Sequence, residues 1–460
     1  MSELSTQYRE LVARLRGGFD SGLTRPLDWR NGQLDALRRL LEANEAAIAG
    51  ALHDDLAKPE QEVVLGETAL LFSEIKHARA RLERWSRPRR VHTPAIAQPG
   101  RSFVQPEPLG IALIIGAWNY PVQLVFAPLI PAIAAGNGAV LKPSEVTPAT
   151  SALIAELVPR YLDPDAIAVV EGGVPETTAL LEQRFDHVFY TGGAEVGRIV
   201  MRAAAEHLTP VTLELGGKSP AIVDATADLT STARRLAWGK ALNAGQTCIA
   251  PDYVLVQRDR RDELIGALRE QFERMLGDDP RASDDYAAIV NDKHFERVAA
   301  LIDQGSVALG GRTDPQRRRI EPTVLTDVSL DTRVMRDEIF GPVLPVIEID
   351  GLDQAIDFVR AGDKPLAAYL FTRSRAAERR FLEQVACGSM CINDVMMFMS
   401  VPELPFGGVG MSGMGQYHGR SGFDRFSHLK SVIRRGRFPD PSIRFAPYSD
   451  LKMRLLKWSA

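Results

Sequence analysis

Two doubly wound α/β units are predicted for this chain, on three observations. From residue 108 onward, short apolar runs alternate with stretches of helical periodicity, the pattern of strands joined by crossover helices. The run "GIALIIGAW" is apolar at consecutive positions, as a parallel strand covered on both faces requires. The 460 residues are too many for one ordinary core, so two or more domains are expected.

The elements follow in order. "LDALRRLLEANEAAIAGALHDDL" and "VVLGETALLFSEIKHARARLERW" carry apolar positions at helical spacing, so the first ninety or so residues read as helices. "SRPRRVHTPAIAQPGRS" breaks that pattern with prolines and a basic cluster, as a connection or an extended arm would. Next come strand "GIALIIGAW", turn "NYP", helix "VQLVFAPLIPAIAAG" and strand "GAVLKP". Helix "TPATSALIAELVPRYL", strand "AIAVVEG", helix "VPETTALLEQ", strand "HVFYTGG", helix "AEVGRIVMRAAAEH" and strand "PVTLELGG" complete the first series. A second series begins near Ser219 with "PAIVDA", helix "LTSTARRLAWGKALNAG", "YVLVQ" and helix "RDELIGALREQFERML". It continues with "PVLPVIEI", helix "LDQAIDFVRA", "LAAYLFT", helix "SRAAERRFLEQV" and "GSMCIND". The last forty residues read as irregular and are basic from Lys430 on.

Composition excludes several classes. A net charge of −4 gives no electrostatic reason for a nucleic-acid partner. Three cysteines cannot make a disulfide framework and fit a reducing, cytoplasmic setting. The N-terminus carries charges of both signs and no apolar h-region. The uncharged stretch from Leu109 to Leu141 is long enough to span a bilayer, but Pro121, Pro128, Pro131, Asn119, Gln123 and Asn137 interrupt it. Cys387 and Cys391 sit among apolar residues without histidines at ligand spacing, so no metal site is expected.

Four features can carry chemistry. Cys248, in "NAGQTCIAP", lies among small and polar neighbours after a helical pattern ends. A nucleophile with backbone N–H groups beside it and a buried inert thiol both fit that placement. Glu214 ends an inner strand before a Gly-Gly turn, a site for a general base whose pKa partial burial raises; pairing with Lys218 is the alternative. Asn119, at a strand-to-helix turn, is either an oxyanion donor or a turn asparagine. Gly192 and Gly197 lie between a strand and a helix, where backbone can approach phosphates, while Lys142 and Glu145 close a strand and can hold ribose hydroxyls or serve as surface charges.

Taken in order, "WNYP", "LKPSE", "TGGAEVG", "LELGGKSP", "NAGQTCIAPDY", "EIFGPVLPV", "CIND" and "LPFGGVGMSGMG" resemble the aldehyde dehydrogenase superfamily, from about residue 30 to about 435. "APDY" and "GQYHGRSGFDRFSH" resemble its class 3 branch, including bacterial coniferyl-type enzymes. The resemblance implies two Rossmann-like domains and a β-arm for oligomerisation. Residues 1–85 and 107–213 would bind the dinucleotide and 214–396 would be catalytic. Residues 86–106 and 397–460 would form the bridging arm and tail. It implies Cys248 as nucleophile, Asn119 and the Cys248 N–H as oxyanion donors, and Glu214 as activator of the deacylating water. Glu338 and Phe340 would position the nicotinamide end, Lys142 and Glu145 the adenosine ribose, and Gly192 and Gly197 would let backbone approach the cofactor. Trp118, Tyr120 and Asn393 would line the substrate site.

The implied reaction is NAD-dependent oxidation of a medium- or long-chain aliphatic or aromatic aldehyde, with NADP possible as cofactor. It runs through a cysteine thiohemiacetal and a thioester that water hydrolyses. The competing readings are a dehydrogenase that passes the acyl group to coenzyme A, and a silent NAD-binding structural protein on the same fold. The expected partner is a second copy of the chain, with no nucleic acid and no membrane span. Met411 and "MMFMSVPE" (396–403) depart from the class 3 pattern and bear on substrate range, not on the chemistry.

Overall fold

The protein is described here by a computed structural model covering residues 3–94, 97–436, 443 and 445–459. Two predominantly parallel sheets organise it. The first has the order Gly413–Met414, Val211–Glu214, His187–Thr191, Ile111–Ile115, Gly138–Lys142, Ile167–Val169, and only its Gly413–Met414 edge is antiparallel. Alternate residues of the central strand serve opposite faces. Ile111, Leu113 and Ile115 pack with Tyr8, Val12 and Leu15 of the N-terminal helix Glu3–Asp20, while Ala112 and Ile114 join the larger core. The strand order reverses between Ile111–Ile115 and His187–Thr191, and it is beyond the carboxyl ends of such a switch point that open α/β sheets bind ligands.

The second sheet has the order Ser306–Leu309, Thr323–Thr326, Val343–Ile349, Tyr253–Gln257, Pro220–Val223, Ala367–Phe371, Ser389–Ile392. All its neighbours are parallel except the Ser306–Leu309 edge. The two α/β series read from the sequence fall in these two sheets, but the second sheet also contains Ser306–Leu309 and Thr323–Thr326, which the sequence reading does not include. The uncharged stretch folds as strand, turn, buried helix Gln123–Ala135 and strand, and among the described residues no helix is long and apolar enough to cross a membrane.

Three expectations are corrected. Residues 34–56, read as helical, form two helices: Leu27–Ala43 and Glu45–Leu56 meet at Asn44, whose side-chain amide donates to the Leu40 carbonyl. Residues 63–85 contain a wider turn, Val64–Thr68, before the helix Ala69–Ser86, and there Gly66 packs so closely on Tyr120 that a Cβ would lie 2.8 Å from its ring. The last forty residues are not irregular throughout. Ser427–Arg435 pairs antiparallel with Gly100–Pro108 from Ser427↔Pro108 to Arg435↔Gly100, Arg89–Val91 pairs on the other side, and Asp450–Ser459 is helical. Long-range strand pairing supplied partners that local periodicity could not reveal.

Asn137 ties the base of this arm to the first sheet. Its Oδ1 accepts from the Gly110 N–H at 2.9 Å, and its Nδ2 donates to the carbonyls of Ala132 (3.2 Å) and Phe426 (2.9 Å). Asn137→Ala leaves the buried Gly110 N–H and Phe426 carbonyl without this partner and is expected to cost about 2 kcal/mol or more, read as a lower midpoint in urea unfolding.

Candidate active site

The helix Leu229–Ala241 stops short of the thiol. It runs into a tight turn, Leu242–Gly245, in which Asn243 (φ 52°), Ala244 (φ 51°) and Gly245 (φ 71°) are all left-handed. Such backbone costs of order 1–3 kcal/mol at a non-glycine residue and persists only where surroundings over-determine it. Here they do. The Asn243 N–H donates to Glu62 at 2.9 Å, and its amide donates to the carbonyls of Asn119 (2.9 Å) and Gln246 (3.2 Å). The Gln246 amide donates to the carbonyls of Asn243 (3.0 Å) and Ala288 (2.9 Å) and accepts from the Val290 N–H at 3.0 Å. Gly245 has no room for a side chain, since a Cβ would lie 2.4 Å from the Gly341 carbonyl. Three residues on, Cys248 is half-buried. Burial, then the Glu338 and Glu214 carboxylates, push its thiol well up, and the backbone N–H groups of Cys248 and Ile249 pull the other way. The N–H groups anticipated beside the sulfur are present but outweighed.

Asn119 leaves the carboxyl end of the central strand and is buried, 3% exposed. One N–H of its amide donates to the Gln246 carbonyl at 3.1 Å, holding it beside the cysteine loop. Glu214, 4% exposed, has both carboxylate oxygens without a hydrogen-bond partner among the described residues. Burial raises its pKa far above the carboxylate range, against the pull of Arg425. Pairing with Lys218 is excluded, because Lys218 pairs with Asp252 and donates to the carbonyls of Val334 and Asp337, both at 2.9 Å. That anchor, with Asp252 accepting from the Ile339 N–H at 3.0 Å, holds the loop carrying Glu338 and Phe340. Burial and Asp252 push Glu338 up to about 8, held back by the Gly217 N–H, Lys218 and Arg297.

Two cavities meet at the thiol. Both are lined by Cys248 and Asn119. One is apolar, with Leu65, Leu70, Tyr120, Trp238, Met396 and Met399 among its walls. The other lies at the switch point, with Gly192, Gly193, Glu214, Gly216, Glu338 and Phe340 among its walls. Contrary to expectation, Trp118 and Asn393 do not line the apolar cavity. Trp118 faces the second cavity and not the first, with its ring 5.2 Å from Phe340 and 4.9 Å from His294. Asn393 lines neither, because its amide is spent on the backbone of Thr372, accepting from its N–H at 2.7 Å and donating to its carbonyl at 2.8 Å. Gly197 is not among the walls of the second cavity, and a Cβ there would lie 3.0 Å from Leu215. Lys142 and Glu145 sit together past the Gly138–Lys142 strand, 3.3 Å apart, outside the walls of the second cavity.

This architecture agrees with known proteins. Residues 5–432 match the aldehyde dehydrogenase family. The chain belongs to the aldehyde dehydrogenase family. It is 46% identical over 458 residues to aldehyde dehydrogenase family 3 member H1 of Arabidopsis thaliana, covering 98% of this chain and 95% of that one. It is 44% identical to the "Aldehyde dehydrogenase, dimeric NADP-preferring" of Canis lupus familiaris, covering 96% and 97%. A substrate-bound structure of Staphylococcus aureus AldH superposes with a TM-score of 0.95 at 42% identity, covering 98% of each chain. The protein is thus an enzyme that oxidises aldehydes with a nicotinamide dinucleotide.

The second cavity of this dehydrogenase fits such a cofactor. Gly193 is open to it, with nothing within 4 Å of where a Cβ would stand. At Gly216 a Cβ would overlap the Glu338 carboxylate, so only glycine leaves these two loops this close. Three residues lining the same space carry buried polar atoms without hydrogen-bond partners among the described residues: Thr191 Oγ1, His294 Nδ1 and both Glu214 oxygens. Gly193, Gly216, His294, Arg297, Phe406 and Tyr417 also line this cavity, though the sequence alone does not single them out. The glycines, Phe406 and Tyr417 lie inside segments already quoted, whereas His294 and Arg297 carry no local signal, and Arg297 acts by holding the Ile339 carbonyl at 2.9 Å. Trp118→Ala is expected to raise the KM for the dinucleotide several-fold and to leave the KM for the aldehyde near that of the parent, measured by initial rates with each substrate varied.

Proposed function

We propose that Cys248, Asn119 and Glu214 oxidise an apolar aldehyde to its acid through a thioester. The observation that carries this reading is the meeting of an apolar cavity and a glycine-edged cavity at one thiol. Cys248, as thiolate, attacks the carbonyl carbon. The oxyanion that forms takes hydrogen bonds from the Cys248 N–H and from the Asn119 amide, which has a second N–H beyond the one given to Gln246. A bound nicotinamide supplies the hydride acceptor. Glu214 then takes a proton from water, and the hydroxide displaces the cysteine from the acyl carbon. A buried carboxyl with free oxygens and a raised pKa suits that task, and would be idle in an enzyme that handed its acyl group to coenzyme A. Leucine, methionine and tryptophan walls favour medium- or long-chain aliphatic or aromatic aldehydes.

Residues 1–85 with 107–213 serve as the dinucleotide domain and 214–396 as the catalytic domain, a division supported by the chain's forming two separate parallel sheets. Lys142 and Glu145 hold the adenosine ribose; Glu145 favours NAD, and the lysine beside it lets NADP be used as well. A homodimer forms through the arm sheet, whose Val91, Leu429 and Ile433 are 40%, 41% and 55% exposed. The three free thiols suit the cytoplasm.

Cys248→Ala is expected to abolish the NADH burst with an aldehyde such as decanal, measured by stopped-flow absorbance; wild-type turnover would overturn the assignment. Glu214→Gln is expected to keep a burst and slow steady turnover by about 10²–10⁴-fold. A base with a raised pKa is neutral at low pH and acts only once ionised. The parent's kcat should therefore climb with pH above the ordinary carboxylate range, and that limb should vanish in Glu214→Gln.

A further inference from the structure

A buried charge pair stands behind the active site with no part in the chemistry above. Lys58 and Glu67 form an ion pair at 2.7 Å in which both side chains are fully buried. Neither lines either cavity. Removing two charges from water is costly, and such a pair is weak evidence for stability, so its presence asks what else it does.

Its remaining contacts answer that. The Lys58 Nζ donates to the Asn119 carbonyl at 3.0 Å and lies 4.2 Å from the centre of the Tyr120 ring. The other Glu67 oxygen accepts from the N–H groups of Val122 (3.1 Å) and Gln123 (2.8 Å), at the start of the helix after the Asn119 turn. Both faces of the turn are thereby held, Asn119 by the lysine and Val122–Gln123 by the carboxylate. The same Asn119 carbonyl also accepts from the Asn243 amide, and the Asn119 side chain donates to Gln246. The Lys58 ammonium thus reaches the cysteine loop through a single oxygen atom.

We propose that Lys58 and Glu67 are positioning residues for the oxyanion pocket, fixing the Asn119 turn against the Cys248 loop. The inference rests on the proposed role of Asn119. A pair that holds a donor in place for the transition state lowers the barrier to acylation without contributing to the binding of the aldehyde. Loss of Lys58 therefore acts through Asn119 and has little further effect once that amide is gone.

A double-mutant cycle on the full-length enzyme, read as the single-turnover rate of the NADH burst, tests this. Asn119→Ala is expected to slow the burst by about 10²–10³-fold. Lys58→Met should slow it tenfold or more in the parent background and less than twofold in the Asn119→Ala background, with the aldehyde KM little changed. Equal fold-losses in both backgrounds, or a rise in KM with the burst rate intact, would overturn the proposal. If Asn119→Ala itself leaves the burst rate unchanged, the oxyanion assignment fails, and this inference with it. Should Lys58→Met not fold, Glu67→Gln runs through the same cycle, since it keeps the lysine and an oxygen for the two N–H groups while removing the charge that holds the ammonium.

Discussion

The carbonyl oxygen of Asn119 is the point on which the catalytic geometry depends. It belongs to the turn that leaves the central strand of the first sheet, and it accepts hydrogen bonds from Lys58 and from Asn243, which precedes the first catalytic-side strand after the thiol, Tyr253–Gln257. Two sheets with separate topologies can place an amide and a thiol together only if some contact sets their separation. A buried acceptor with two buried donors does so with little play, because breaking either bond strands a polar group away from water.

The left-handed run at Asn243–Gly245 is the other half of that constraint. The left-handed residues follow the end of the helix Leu229–Ala241 and stop three residues before Cys248, which lines both cavities, and their conformational cost is offset by the hydrogen bonds of Asn243 and Gln246. The neighbourhood is also electrostatically demanding. Cys248, Glu214 and Glu338 all have pKa values raised, chiefly by burial, so the site favours their uncharged forms. Low polarity around the thiol is what makes preorganised donors effective when charge develops there.

Much of this was legible in the chain. Periodicity found the helices and parallel strands of the first α/β series, because a doubly covered parallel sheet leaves unbroken apolar runs, but in the second it passed over the strands Ser306–Leu309 and Thr323–Thr326 and the helix Asp292–Ala299. Where it erred, the cause was a contact between distant residues. Gly66 and its wider turn answer to Tyr120, and the strand Ser427–Arg435 answers to Gly100–Pro108, more than three hundred positions away in the chain.

The sequence by itself determined the class of fold, the family and the three groups proposed to do the chemistry, since each of these depends on residue type and on spacing along one stretch of chain. Only the tertiary structure decided which way each side chain faces: Trp118 toward the switch-point cavity, Asn393 into a backbone clamp, Gly197 against Leu215, Glu214 away from Lys218. It alone joined Lys58 and Glu67 to Asn119. The physical reason is that facing and pairing are set by which buried polar groups find partners, and those partners lie tens to hundreds of residues away, where no local pattern records them.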